Sequence, residues 1–122
     1  DITVSDLAHS EAFYLRALAP LGFDLVYRNT NNAAGGQTLG FGASANPTFC
    51  IRSGDRATTP LHIAFSADSR AAVDAFHAAA LAAGGRDNGA PGLRPRYSKN
   101  YYSAFVIDPD GHNLAAVCRN PL

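Results

Sequence analysis
With 122 residues, ten basic against ten acidic side chains and a formal net charge of zero, the chain offers no broad electrostatic footprint for nucleic acid or anionic membrane. A hydrophobic content of 47% and a charged content of 16% are those of a globular domain able to bury its core without disulfides, and no apolar run approaches the roughly 20 residues of a membrane span. Cys50 and Cys118 are too few and too far apart for a disulfide framework or a zinc motif, so two buried free thiols and a reducing, cytoplasmic setting are expected.

Residues 1–4 read as a short strand. Asp6 is a candidate N-cap for a helix over about 7–19, which Pro20 and Gly22 stop. Strand patterns follow at 23–28, 37–42 and 48–52, joined by the turn-rich NTNNAAGG and GASANP. SGDRATTP, residues 53–60, is the one stretch that reads as a linker. A strand then opens at LHIAFS, Asp68 is the expected cap of a helix near 69–83, and Gly84-Gly85 closes it. Residues 84–100 read as a long irregular segment with room for a hidden strand around 93–97. The strands 101–107 and 112–118 flank Asp108-Pro109-Asp110-Gly111, a tetrapeptide suited to a tight turn.

The chain also repeats itself. AFYLRALAPLGFD, residues 12–24, returns as AFHAAALAAGGRD, residues 75–87, and a strand-like ITVS or IAFS precedes each copy. Two similar half-domains that each bury one face pack together, and a cleft between them is a natural ligand site. The expected architecture is α+β: two paired βαβββ modules, about 1–52 and 61–119, forming a curled, mainly antiparallel sheet around a central cleft.

These elements, with TVSDL, LHIAF, AAGGRDNGAPGLRPRY, NYY and DPDGHNLAAVC in this order and spacing, resemble the vicinal oxygen chelate superfamily over nearly the whole chain. That superfamily includes glyoxalase I, bleomycin-resistance proteins, fosfomycin-resistance enzymes and extradiol dioxygenases. The resemblance implies a small-molecule pocket, a homodimer and, in metal-dependent members, a divalent ion (Zn, Ni, Mn or Fe) held by histidine and glutamate side chains as a Lewis acid. His62 matches the ligand that opens the second module. The first module's counterpart is expected upstream of Asp1. Ala115 stands where the family glutamate of the last strand belongs, and TFCIR offers no ligand. The segment that related sequences write RPHYHPNYY here carries Arg96, Ser98 and Lys99.

His62 is therefore either a metal ligand or a strand histidine bonded to backbone or water. His9, His77 and His112 read as solvated. A loop as long as 84–100 is suspect on length alone. Its Arg94, Arg96, Tyr97 and Asn100, running into Tyr101, suit a small anionic or aromatic ligand, whereas pairing with Asp87, Asp108 or Asp110 is the plain alternative. Tyr101 and Tyr102 point to opposite faces of one strand, so at most one of them faces the pocket directly.

The leading expectation is a protein binding a small polar or anionic molecule in the inter-module cleft, with a degraded or absent metal site and no assigned catalytic residue. The ligand set is His62, Arg94, Arg96, Tyr97, Asn100 and Tyr101. The alternatives are a metal-dependent lyase or dioxygenase using His62, and a fold retained for association with Phe41, Phe49, Tyr102 and Phe105 filling the pocket. Neither nucleic acid nor membrane is an expected partner.

Overall fold
The computed structural model describes residues 2–30, 36–53 and 60–121. The expected linker therefore lies mostly outside the described residues, as does much of NTNNAAGG. Strand β1 (Ile2–Val4), helix α1 (Leu7–Leu18), a 3-10 turn (Ala19–Leu21), β2 (Asp24–Asn29), β3 (Thr38–Gly42) and β4 (Phe49–Ser53) come first. They are followed by β5 (His62–Ser66), α2 (Arg70–Ala82), β6 (Arg86–Leu93), β7 (Tyr102–Ile107) and β8 (Asn113–Cys118). Two four-stranded sheets result, ordered β1-β4-β3-β2 and β5-β8-β7-β6. In each, the first and last strands run parallel and the other pairs antiparallel.

Asp6 caps α1 as expected, its carboxylate accepting from His9 N at 3.1 Å. Ser10, Phe13, Tyr14, Ala17 and Leu18 recur at helical spacing and are the buried face. For α2 the expected Asp68 cap is corrected to Ser69, whose Oγ accepts from Ala72 N at 3.0 Å. Ser69 stands three residues before that N–H, the reach a capping oxygen needs, and Asp68 stands one too early. Gly84 takes φ +104, and Gly84 N and Gly85 N return to Leu81 O and Ala80 O.

The segment 84–100 is not irregular throughout, because residues 86–93 form β6. Its sequence, RDNGAPGL, hides this. β6 is an edge strand bonded only to β7, its register shifts twice, and Pro91 needs no partner on an open edge. It is also tied to α2: His77 Nε2 lies 2.9 Å from Asp87 Oδ1, so His77 is paired rather than merely solvated. The His77 hydrogen bond, helped by the Gly89 N–H, holds the Asp87 carboxyl below its ordinary range. A depressed folded-state value contributes stability above the unfolded pKa of about 4 and loses it as pH falls through the folded one. In Asp87→Asn the acid limb of a Tm-against-pH curve is therefore expected to flatten, with the neutral-pH plateau little changed.

The helix-facing sides of both sheets close on one core. Phe49 of β4 packs against Tyr14 at 5.0 Å and Phe65 of β5 at 5.3 Å between ring centroids. Phe13, Tyr14, Phe41, Phe76, Val106 and Leu114 are wholly or almost wholly buried there. Gly85 lets α1 meet the second sheet, since a Cβ at that position would stand 2.6 Å from Val106 Cγ1 and 2.9 Å from Phe13 Cε1. Gly85→Ala is expected to cost about 1–3 kcal/mol by overpacking, readable as a lower urea midpoint at unchanged m-value.

Candidate functional site
Strand alternation assigns every side chain of the second sheet to one of two faces. The inner face carries Phe65, Leu114, Ala116, Cys118, Ala104 and Val106, all buried against α2 and the shared core. The opposite, outer face is read from the register in rows. One row is His62, Asn113, Ile107 and Arg86; the next is Ala64, Ala115, Phe105 and Gly89; the third is Ser66, Val117, Ser103 and Gly92. Tyr101 and Arg119 continue that alternation beyond the ends of β7 and β8.

The tyrosine question is thereby decided. Tyr102 belongs to the inner side, where its Oη donates to Asp74 Oδ1 of α2 at 2.6 Å, a contact that raises the phenol's pKa. Tyr101 belongs to the outer face. Its ring lies 5.0 Å from that of Tyr97, the Arg96 guanidinium stacks 5.2 Å from the Tyr97 ring, and Arg119 stacks 5.2 Å from the Tyr101 ring. Arg94 lies over Phe105 at 5.5 Å, and Phe105 also meets the His62 ring edge-on at 6.1 Å. Four of the expected ligand residues, Arg94, Arg96, Tyr97 and Tyr101, are thus joined at one end of this face. His62 stands toward the other end, linked through Phe105, and Asn100 sits half-buried in the turn before Tyr101.

Arg119, Phe105, Asn113 and Ser103 belong to the same surface and were not among the ligand expectations. The available signal was parity: 113, 115, 117 and 119 share a face with Ala115, and 101, 103 and 105 share one with Tyr101. The alternative pairing of the arginines does not occur. Among the described residues Arg94, Arg96 and Arg119 make no ion pair, and Arg94 uses one N–H, to Ala90 O at 2.7 Å. Asp87, Asp108 and Asp110 are engaged by His77, Tyr14 and Ser5 respectively.

Two other expectations are corrected. His112 is fully buried, not solvated, and its Nδ1 accepts from Leu61 N at 3.0 Å. Asp108 is buried beside it, accepting from the Tyr14 hydroxyl and from the Asp110 and His112 amides. Of the four aromatics named as pocket filling, Phe41 and Phe49 are core residues, Tyr102 faces α2, and Phe105 alone reaches the outer face.

The donor set around His62 bears on a metal. Its ring is bonded to Asn113, with Nδ2 3.3 Å from His62 Nδ1, and Ala64 and Ala115 occupy the adjoining row. Among the described residues no group of three or more His, Cys, Asp or Glu side chains is placed to hold a metal ion. An imidazole beside an amide and two methyl groups does not fit the N, S and carboxylate sets that bind such ions.

Residues 1–116 match the family model described as "Glyoxalase/Bleomycin resistance protein/Dioxygenase superfamily". Among solved structures, a glyoxalase/bleomycin resistance protein from Albidiferax ferrireducens T118 is 30% identical with a TM-score of 0.74, the match covering 98% of this chain and 94% of that one. Hypothetical protein SA1046 from S. aureus is 22% identical with a TM-score of 0.67, over 95% and 90% of the two chains. Glyoxalase I from Zea mays is 22% identical with a TM-score of 0.69, and there 96% of this chain covers only 43% of the maize protein. The last two likenesses show the fold alone. No curated protein matches the chain.

Proposed function
Because the chain belongs to the glyoxalase/bleomycin resistance protein/dioxygenase superfamily, we propose that it binds a small polar or anionic molecule on the outer face of its second sheet, without the divalent metal that the fold family implies. The observation that carries this reading is the cluster of Arg94, Arg96, Tyr97, Tyr101 and Arg119, whose guanidinium groups rest on aromatic rings and meet no carboxylate among the described residues. Such groups keep their charge and most of their N–H donors available to a ligand. Ala115 supports the metal-free part: its methyl lies on the binding face, in the row with Ala64 and Phe105, and a methyl cannot coordinate an ion.

The site is completed by a second copy of the chain. β1 and β5 are edge strands, each hydrogen-bonded to one neighbour. An apolar hollow lined by Phe23, Phe49, Ile63 and Phe65 adjoins β5. A homodimer that covers this edge turns the open outer face into a cleft between modules of two chains. The free thiols of Cys50 and Cys118 suit a reducing, cytoplasmic setting.

The test is melting of tag-free protein as Ni, Zn, Mn and Fe(II) are titrated, for the wild type and for His62→Ala. The expected result is no bound metal and no shift in either protein. Stoichiometric metal with a rise in Tm that vanishes in His62→Ala would overturn the metal-free reading and restore the lyase or dioxygenase alternative.

A further inference from the structure
Charge is divided between the two sides of the second sheet although the whole chain is neutral. Its carboxylates are engaged on the inner side or at the turn: Asp74 by Tyr102, Asp87 by His77, Asp108 by Tyr14 and Asp110 by Ser5. The outer face carries Arg86 by register and Arg94 and Arg119 by their stacking on Phe105 and Tyr101, and no carboxylate stands in any of its three rows. A field of one sign on one face of a neutral protein is the arrangement that selects an anion.

The position of Arg94 is built by its neighbours. Gly89 and Gly92 of β6 leave room for the guanidinium, since a Cβ at either would stand 3.3 Å from one of its terminal nitrogens. The ring of Phe105 supports it from the next strand. Directly across from Gly92 is Ser103, fully buried, with an Oγ that has no hydrogen-bond partner among the described residues. A hydroxyl left so costs stability unless something else meets it. A carboxylate drawn to Arg94 supplies the missing acceptor. Past this polar corner the floor is apolar, formed by the exposed methyl of Ala64 and the half-buried ring of Phe105, with Ala115 fully buried between them, and it ends at His62 and Asn113.

We infer that the ligand is an organic monocarboxylate with a flat apolar body: its carboxylate on Arg94 and Ser103, its body over Ala64 and Phe105, and a hydrogen-bonding substituent toward His62 and Asn113. This rests on the reading that the outer face binds a small molecule, and it adds the ligand's charge, shape and direction.

The test is calorimetric titration of the full chain with 4-hydroxybenzoate, its neutral counterpart 4-hydroxybenzamide, and acetate. The acid is expected to bind about tenfold or more tightly than the amide, because a charge-assisted pair is lost in the latter, to weaken as salt rises, and to bind far better than acetate. Arg94→Gln and Arg119→Gln are each expected to weaken the acid and leave the amide little changed. Ser103→Ala separates a binding role from a structural one: the apo Tm is expected to hold or rise while affinity for the acid falls several-fold. Equal binding of acid and amide, with both shifting the NMR signals of Phe105 and His62, overturns the carboxylate and leaves the small-molecule reading standing. So does full affinity for the acid in Arg94→Gln. Absence of binding by every probe overturns both.

Discussion

Asp108→Ala is expected to lower the melting temperature by about 10 °C while leaving the second sheet's outer face able to form. Asp108 is 4% exposed, and its two oxygens accept from the Tyr14 hydroxyl, Asp110 N and His112 N. Burial and the carboxylate's charge hold the Tyr14 phenol far above its ordinary pKa, which favours the protonated, donating form. Removing the carboxylate leaves these donors without a partner in a buried site, at about 1–3 kcal/mol for each that water cannot reach. A loss of about 3 kcal/mol in a domain of this size corresponds to the stated shift. Tyr14→Phe, which keeps the ring and removes one donor, is expected to cost only about 1–2 kcal/mol. Equal losses in the two variants would show that the Tyr14–Asp108 hydrogen bond carries the whole effect, and that the Asp110 and His112 amides add nothing. Because Tyr14 is on α1 and Asp108 follows β7, the pair binds the two halves of the chain together.

The second large effect is expected at Phe49. Its ring meets Tyr14, Phe41 and Phe65, at 5.0, 6.3 and 5.3 Å between centroids, and so joins β4 to α1, β3 and β5. Phe49→Ala is expected to destabilise by about 3–5 kcal/mol, the sum of lost burial and the cavity left behind. That is a large part of the roughly 5–15 kcal/mol such a domain commands. Urea unfolding measures it. In a double-mutant cycle with Phe65→Leu, Phe49→Leu is expected to reveal a coupling of about 0.5–1.5 kcal/mol. Strict additivity would contradict the direct contact between the two halves that this ring provides.

Much of this fold was legible because local chemistry and periodicity agreed. The two copies of the helix sequence place Phe13 and Phe76, and Ala17 and Ala80, at matching positions, and all four are buried. Asp6, Pro20 and Gly22 marked the ends of α1, and Asp108-Pro109-Asp110-Gly111 the turn between β7 and β8, where Gly111 takes φ +90. What escaped the sequence depends on distant partners. RDNGAPGL lacks alternation because an edge strand with shifted register is not constrained on both sides. His112 looks solvated beside Pro109, Asp110 and Gly111, yet it is buried with Asp108, whose partner Tyr14 comes from 94 residues away in the chain.

The candidate site was legible as residue types and not as a surface. Arg94, Arg96, Tyr97 and Tyr101 stood out as a basic and aromatic run. Arg119 lies eighteen positions after Tyr101 and joins it only because β7 and β8 are paired. Ser103 and Ala115 are small residues in apolar runs, and their meaning comes from the face they occupy.

The most direct test of the outer-face site is amide chemical-shift mapping of the full chain against a panel of small aromatic, anionic and neutral compounds. Binding is predicted to move the signals of Tyr101, Ser103, Phe105 and Ala115 most, those of α1 and α2 least, and to do so equally with chelator present. Shifts confined to the helices or to the first sheet, or a response that chelator abolishes, would contradict a metal-free binding site on the second sheet.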